Sequence, residues 1–232
     1  MSPYWRRRGK RHAALAAVSV AVIAGMGTAL QARDWWFKLS MASAYVGAAL
    51  LVATLLLGPW NVLRGRRNPV TTDLRRDVGI WAGVVGLFHL VIGLNVHMRG
   101  RPWLYFVYPD KAKAGFPVRH DLFGLTNHAG LLAGLVLLAL SNDWAVRRLS
   151  APRWKAIQRW NYLAAALTVL HGFGFQSVEK RALPYVLTLA ALAAAALALQ
   201  MAGFRRVRGG AVEPLHVDIG KVTGPGRRAD PD

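Results

Sequence analysis

Two histidines, His89 and His171, each lie deep in a stretch otherwise apolar enough to cross a bilayer. An ionisable side chain in such a place is costly unless it is paired or functional. If the third apolar run is a helix from Val78 and the fifth a helix from Gln158, the imidazoles sit about 17 and about 20 Å along their axes, nearly one depth. A neutral imidazole is a good iron ligand, and two of them on facing helices hold a b-type haem in a helical bundle. The other chemistry open to them is hydrogen bonding to neighbouring helices as polar glue. Spacing alone does not choose.

The remaining histidines divide by depth. His128 falls a short way into the fourth run, about 9 Å below the outer surface, where it can line the same site, meet a haem propionate or ligate iron. His97 follows His89 by eight residues, so roughly 100° per residue turns it about 80° off the His89 face, at the membrane edge. That suits an interfacial or propionate-binding role, together with Arg99, Arg101 and Arg119 of the outer rim, whose guanidiniums pair well with carboxylates. His12, His120 and His216 fall in loops or termini and are expected to be solvated. The chain has no cysteine, which excludes disulfides, thiolate nucleophiles, cysteine-ligated clusters and haem attachment through C-x-x-C-H.

The elements that must position these residues follow from composition. Of 232 residues, 54% are hydrophobic, gathered in runs at 13–32, 39–63, 78–97, 122–140, 158–177 and 183–204, each near the ~20 residues a spanning helix needs. The chain reads as an all-α, polytopic membrane bundle of six transmembrane helices. It has a basic N-terminus over 1–12, a bundle over 13–204 and a disordered tail over 205–232 with no room for a flavin or nicotinamide domain. The net charge of +19 marks loops and not a folded nucleic-acid face: 21 of the 30 Lys and Arg fall on one side, so both termini are expected to be cytoplasmic. Arg6 to Arg11 ahead of an apolar run have the outline of a signal peptide, read here as a first span or signal anchor. In the loop 98–121, Trp103, Tyr105, Phe106 and Tyr108 are expected at the headgroup level, as an anchor or as a docking surface for an external acceptor.

The segment RRDVGIWAGVVGLFHLVIGL (75–94) resembles the third helix of the ferric-reductase-like transmembrane superfamily, and within it the bacterial haem-binding membrane subunits of the methionine-sulfoxide reductase system. The pattern of two Arg, a Gly, a Trp and a His ten residues past the Gly is met by Arg75, Arg76, Gly79, Trp81 and His89. TLLLGP (54–59) and GLLAGLVLLALSND (130–143) resemble the end of the second helix and the fourth. RWKAIQRWNYLAAALTVLH (153–171) resembles the fifth, where the family has an Arg-Trp pair, a His, a Tyr four residues on and a second His thirteen residues after the first. Here the first His position holds Gln158, with Tyr162 and His171 following.

The resemblance implies one or two b-type haems carrying electrons across a bacterial inner membrane, to a periplasmic reductase or to ferric iron. Gln is a poor iron ligand, so an inner haem is expected to be absent or differently held, leaving the outer site of His89 and His171. Electrons must come from a separate donor, membrane quinol or a flavoprotein bringing its own flavin. The rival from another class is a haem-free anchor or scaffold for a partner complex. No nucleic-acid partner is expected.

Overall fold

Lipid offers the backbone no hydrogen bonds, so a chain of this composition must satisfy its amides within helices. The structure, a computed structural model, describes residues 3–31, 34–65, 72–98, 100–109, 117–140, 156–157 and 159–209. Those residues form α1 (Pro3–Ala29), α2 (Trp35–Leu63), α3 (Thr72–Gly93), a 3-10 turn (Pro102–Tyr105), α4 (Leu122–Leu140), α5 (Trp160–Val178) and α6 (Leu183–Arg208). The tail beyond 209, with His216 in it, lies outside them, as do Arg99 and Gln158. Helices α1, α2, α3 and α6 are long and apolar enough to cross a membrane, and α4 carries a shorter apolar run. Helix α5 carries Asn161, Thr168, His171 and Gln176 along it. The chain is an all-helical, multi-pass membrane protein. Leu87, Phe88, Val91, Leu132, Leu135, Leu170 and Leu197 are exposed, as side chains facing acyl chains must be.

The closest backbone pairings are α2 with α3, α4 with α5 and α2 with α6, while α1 packs on α2 and α3. Helices α3 and α5 face each other across a gap. Glycines set the tight contacts: a Cβ on Gly172 would meet Leu189 of α6 at 2.6 Å, and one on Gly174 would collide with Thr126 of α4. Small residues of this kind let helices approach where no hydrophobic drive exists.

Three expectations change. Helix α3 runs over Thr72–Gly93 and not 78–97, because Asn95 Nδ2 donates to the Val91 carbonyl at 2.8 Å and the chain turns away. Tyr105 then fastens the turn, donating to the Gly93 carbonyl at 2.7 Å and accepting from the His97 amide at 2.9 Å. Tyr105 is therefore 2% exposed and Phe106 half-buried, while Trp103 stays outside as an interfacial side chain would. The early start of α3 also brings Asp77 inside the helix. It is fully buried and met by Arg8 at 3.0 Å, Arg11 at 3.0 Å and His12 at 3.3 Å, all from α1. His12 is thus no solvated terminus: its Nδ1 also accepts from Trp81 Nε1 at 3.1 Å.

Pro59 lies inside α2 and has no N–H, so the Leu55 carbonyl one turn back loses its helical donor. Gln200 of α6 supplies one, its Nε2 donating to that oxygen at 2.8 Å, while Tyr162 Oη donates to Gln200 Oε1 at 3.3 Å. Gly203, one turn further along α6, has no Cβ to strike Pro59. Replacing Gln200 with Leu should cost about 1–2 kcal/mol, the worth of an unmade bond at a buried carbonyl. In a Pro59→Ala background, where residue 59 regains its N–H, the loss should shrink. Thermal unfolding of both single variants and the double variant in detergent measures this, and equal losses in both backgrounds would refute the pairing.

Candidate functional site

His89 on α3 and His171 on α5 meet across the gap, about one turn before the end of α3 and two before the end of α5. Their ring centres are 6.0 Å apart, with the rings inclined at 75°. Each Nδ1 lies against a backbone carbonyl, that of His89 3.0 Å from Ser40 O and that of His171 2.8 Å from Thr126 O. An Nδ1–H donated there leaves Nε2 as the unprotonated nitrogen of a neutral ring. Neither Nε2 has a hydrogen-bond partner among the described residues. The Ser43 hydroxyl stands a further 3.4 Å from His89 Nδ1.

The carbonyls are reachable because the residue one helical turn on is small. A helical side chain covers the turn N-terminal to its own Cα, so the residue after Thr126 that matters is Gly130. A Cβ there would lie 2.5 Å from His171 Nδ1. At Ser40 the corresponding residue is Ala44, which lines the same cavity.

That cavity encloses about 200 Å³ and is walled mostly by Leu, Ala, Gly and Phe from α2 to α5, with Leu189 from α6. Both imidazoles line it. The donor set would suit an iron that takes two nitrogens from the chain: metal–nitrogen bonds of about 2 Å, plus about 1 Å to each ring centre, correspond to ring centres roughly 6 Å apart. Histidine ligands characteristically donate their second nitrogen to a carbonyl or carboxylate, as both do here. A bare ion is less well served, since among the described residues no group of three or more His, Asp or Glu comes together.

Eight residues beyond each imidazole stands one member of a second polar pair, His97 and Glu179. His97 Nε2 lies 2.6 Å from Glu179 Oε1, and Arg181 Nη2 lies 3.2 Å from Glu179 Oε2. Aromatic rings fill the space between the pairs: Phe175 packs on His171 at 5.1 Å and stacks under His97 at 6.2 Å. Beside them Gln176 Nε2 donates to Tyr45 Oη at 3.1 Å and to the Tyr185 carbonyl at 3.0 Å. Burial alone would raise the Glu179 carboxyl, but the bond from His97 and the charge of Arg181 outweigh it and hold it below the usual range.

The sequence-predicted residues separate accordingly. His89 and His171 are together, and His97 lines the same cavity. His128 turns back to its own helix, Nδ1 2.6 Å from Gly124 O, and its ring packs on Phe106, outside the cavity lining. Arg119 is engaged by Asp121, at 3.1 Å through Nε and 2.5 Å through Nη2, and lies over the rings of Tyr108 and Phe123. Arg101 is exposed. Sequence reasoning missed Gly130, Gln176, Glu179 and Arg181; the signal for Glu179 was its eight-residue offset from His171, the same as that of His97 from His89.

No protein-family model and no solved structure matches the chain. It is similar to the protein-methionine-sulfoxide reductase heme-binding subunit MsrQ of Deinococcus radiodurans, 34% identical over 117 residues. The match covers 50% of this chain and 54% of that protein, so the chain spans about half the length of the curated relative it matches.

The rim carries a pH prediction. A carboxyl held below its ordinary value of 4.5 gives stability that is full above that pH and is lost as pH falls through the folded value. Melting temperature in detergent should hold from neutral pH to near 4.5 and then decline, and Glu179→Gln should make the decline shallower. An unaltered acid limb in the variant would show that Glu179 contributes nothing.

Proposed function

We propose that this chain is a membrane electron-transfer subunit that holds one b-type haem between the Nε2 atoms of His89 and His171. The observation that carries the reading is the pair itself: two imidazoles with Nδ1 tied to carbonyls and Nε2 left unbonded, lining one apolar cavity. Similarity to a heme-binding subunit supports the same assignment. Bound there, haem supplies a one-electron iron couple. The chain's part is to fix the ligand nitrogens through the Ser40 and Thr126 carbonyls, to exclude water with the Leu, Ala and Phe wall, and to set the potential by burial and hydrogen bonding.

The reading extends to a six-span bundle in a bacterial inner membrane with both termini cytoplasmic, following the distribution of Lys and Arg. Electrons enter from membrane quinol or a flavoprotein and leave to a periplasmic reductase or an anionic ferric species. Gln158 in place of the family's first fifth-helix His supports one haem per chain and not two. His128, packed on Phe106 outside the cavity lining, and Arg119, paired with Asp121, take no part in holding the cofactor.

The test is spectroscopic. After expression with ample haem, purified protein should show a Soret band and a dithionite-induced α band, with a pyridine-haemochrome count near one per chain. His89→Ala and His171→Ala should each abolish the low-spin spectrum, and His128→Ala should leave it. A colourless wild type would end the cytochrome reading, and a low-spin spectrum surviving in either of the first two variants would end the ligand assignment.

A further inference from the structure

Arg181 is the one charged side chain, histidines aside, among the described residues lining the cavity. Its place there is built by the backbone. After the last turn of α5, Lys180 adopts φ of 48°, the Lys180 amide donates to Ser177 O and the Arg181 amide donates back to Gln176 O at 3.0 Å. This pair of bonds closes a helix end with a sharp reversal, and it delivers Arg181 to the cavity instead of to the surface.

The side chain is then held from two sides. Its Cζ lies 4.7 Å over the Phe37 ring of α2, and Nη2 reaches Glu179 at 3.2 Å, with the side chain 15% exposed. Nη1 is buried and has no hydrogen-bond partner among the described residues. A buried guanidinium nitrogen left without an acceptor is expensive. It is also a donor whose capacity is unused, on a side chain that lines the cavity.

Among the described residues, the other basic side chains of the rim are occupied or elsewhere. His97 is bonded to Glu179, Arg119 to Asp121, and Arg101 is exposed. Glu179, two residues from Arg181, would repel a second carboxylate if it stood alone, but its Oε1 lies 2.6 Å from His97 Nε2 and its Oε2 3.2 Å from Arg181 Nη2. What the cavity offers is therefore an apolar slot, two imidazoles in its middle and one incompletely used guanidinium at one end. Val178, the last residue of α5, lies about 10 Å along the helix axis from His171, and Arg181 follows it by three residues.

We infer that Arg181 anchors the carboxylate edge of the planar cofactor, so that the ligand lies with its acidic edge at the α5–α6 turn and its apolar edges among α2, α3 and α4. The inference rests on the haem reading above and assigns the propionate contact to a residue distinct from Arg99 and Arg119. Arg suits this place because its planar fork can serve Glu179 and a second carboxylate at once, whereas Lys offers a point charge.

Titration of the haem-depleted full-length protein with iron protoporphyrin IX and with its dimethyl ester, whose acidic edge is neutral, tests the assignment by Soret absorbance. The wild type should bind the free acid about tenfold more tightly than the diester, as one charge-assisted contact implies. Arg181→Gln should bring the two affinities together by weakening the free acid alone, and Arg181→Lys should restore part of the difference. Equal affinities in the wild type overturn the inference without recourse to any variant, as does a wild-type ratio retained in Arg181→Gln. If neither porphyrin gives a low-spin spectrum with the wild type, the haem reading falls and this inference with it; a low-spin spectrum with no preference between the two removes only the role of Arg181.

Discussion

The site depends on two backbone carbonyls, those of Ser40 and Thr126, being left open to a side chain from another helix. Helical carbonyls are normally covered by their own ladder and by the side chain a turn later. Here the covering residues are Ala44 and Gly130, and each carbonyl turns an imidazole so that the same ring nitrogen is committed and the same one is left over. In a medium without water that choice is firm, since a ring that rotated away would strand both a donor and a carbonyl-facing void. The spacing of α3 and α5, the glycines of α4 and α5 and the apolar wall all serve to keep that arrangement.

Electrostatics are confined to the two ends of the bundle. At one, Asp77 is enclosed by Arg8, Arg11 and His12, which ties α1 to α3. At the other, Glu179 is shared between His97 and Arg181. Between them the described side chains are neutral, so a charge arising in the middle would meet compensation only from the ends. Buried pairs of this sort are strongly destabilised when one partner is removed, by about 3–5 kcal/mol. Their presence fixes the register of the helices that carry them.

The helical class and the meeting of His89 with His171 were legible in the sequence because hydropathy and the 1.5 Å rise are one-dimensional properties. The boundaries were less so. The apolar run reads as starting at Val78, just past Asp77, and no pattern in the sequence says that Arg8, Arg11 and His12 of α1 close around that carboxylate. Tyr105 was read as an interfacial aromatic, since nothing in the order of residues says that its hydroxyl closes the end of α3. Gly130 and Arg181 escaped notice for the same reason: one acts by what it lacks, the other through a reversal whose φ of 48° falls on a lysine. Propensity favours glycine there, so composition gave no warning.

Pro59 bears on the biogenesis of the bundle. The Leu55 carbonyl it exposes is answered by Gln200, and 145 residues separate donor from acceptor. While α2 sits in the bilayer and the C-terminal helix has yet to arrive, that oxygen has no fixed partner and the chain carries an unfinished polar spot in hydrocarbon. Docking of the last helix removes it. The proline thus couples the satisfaction of one backbone oxygen in α2 to the docking of a helix far along the chain.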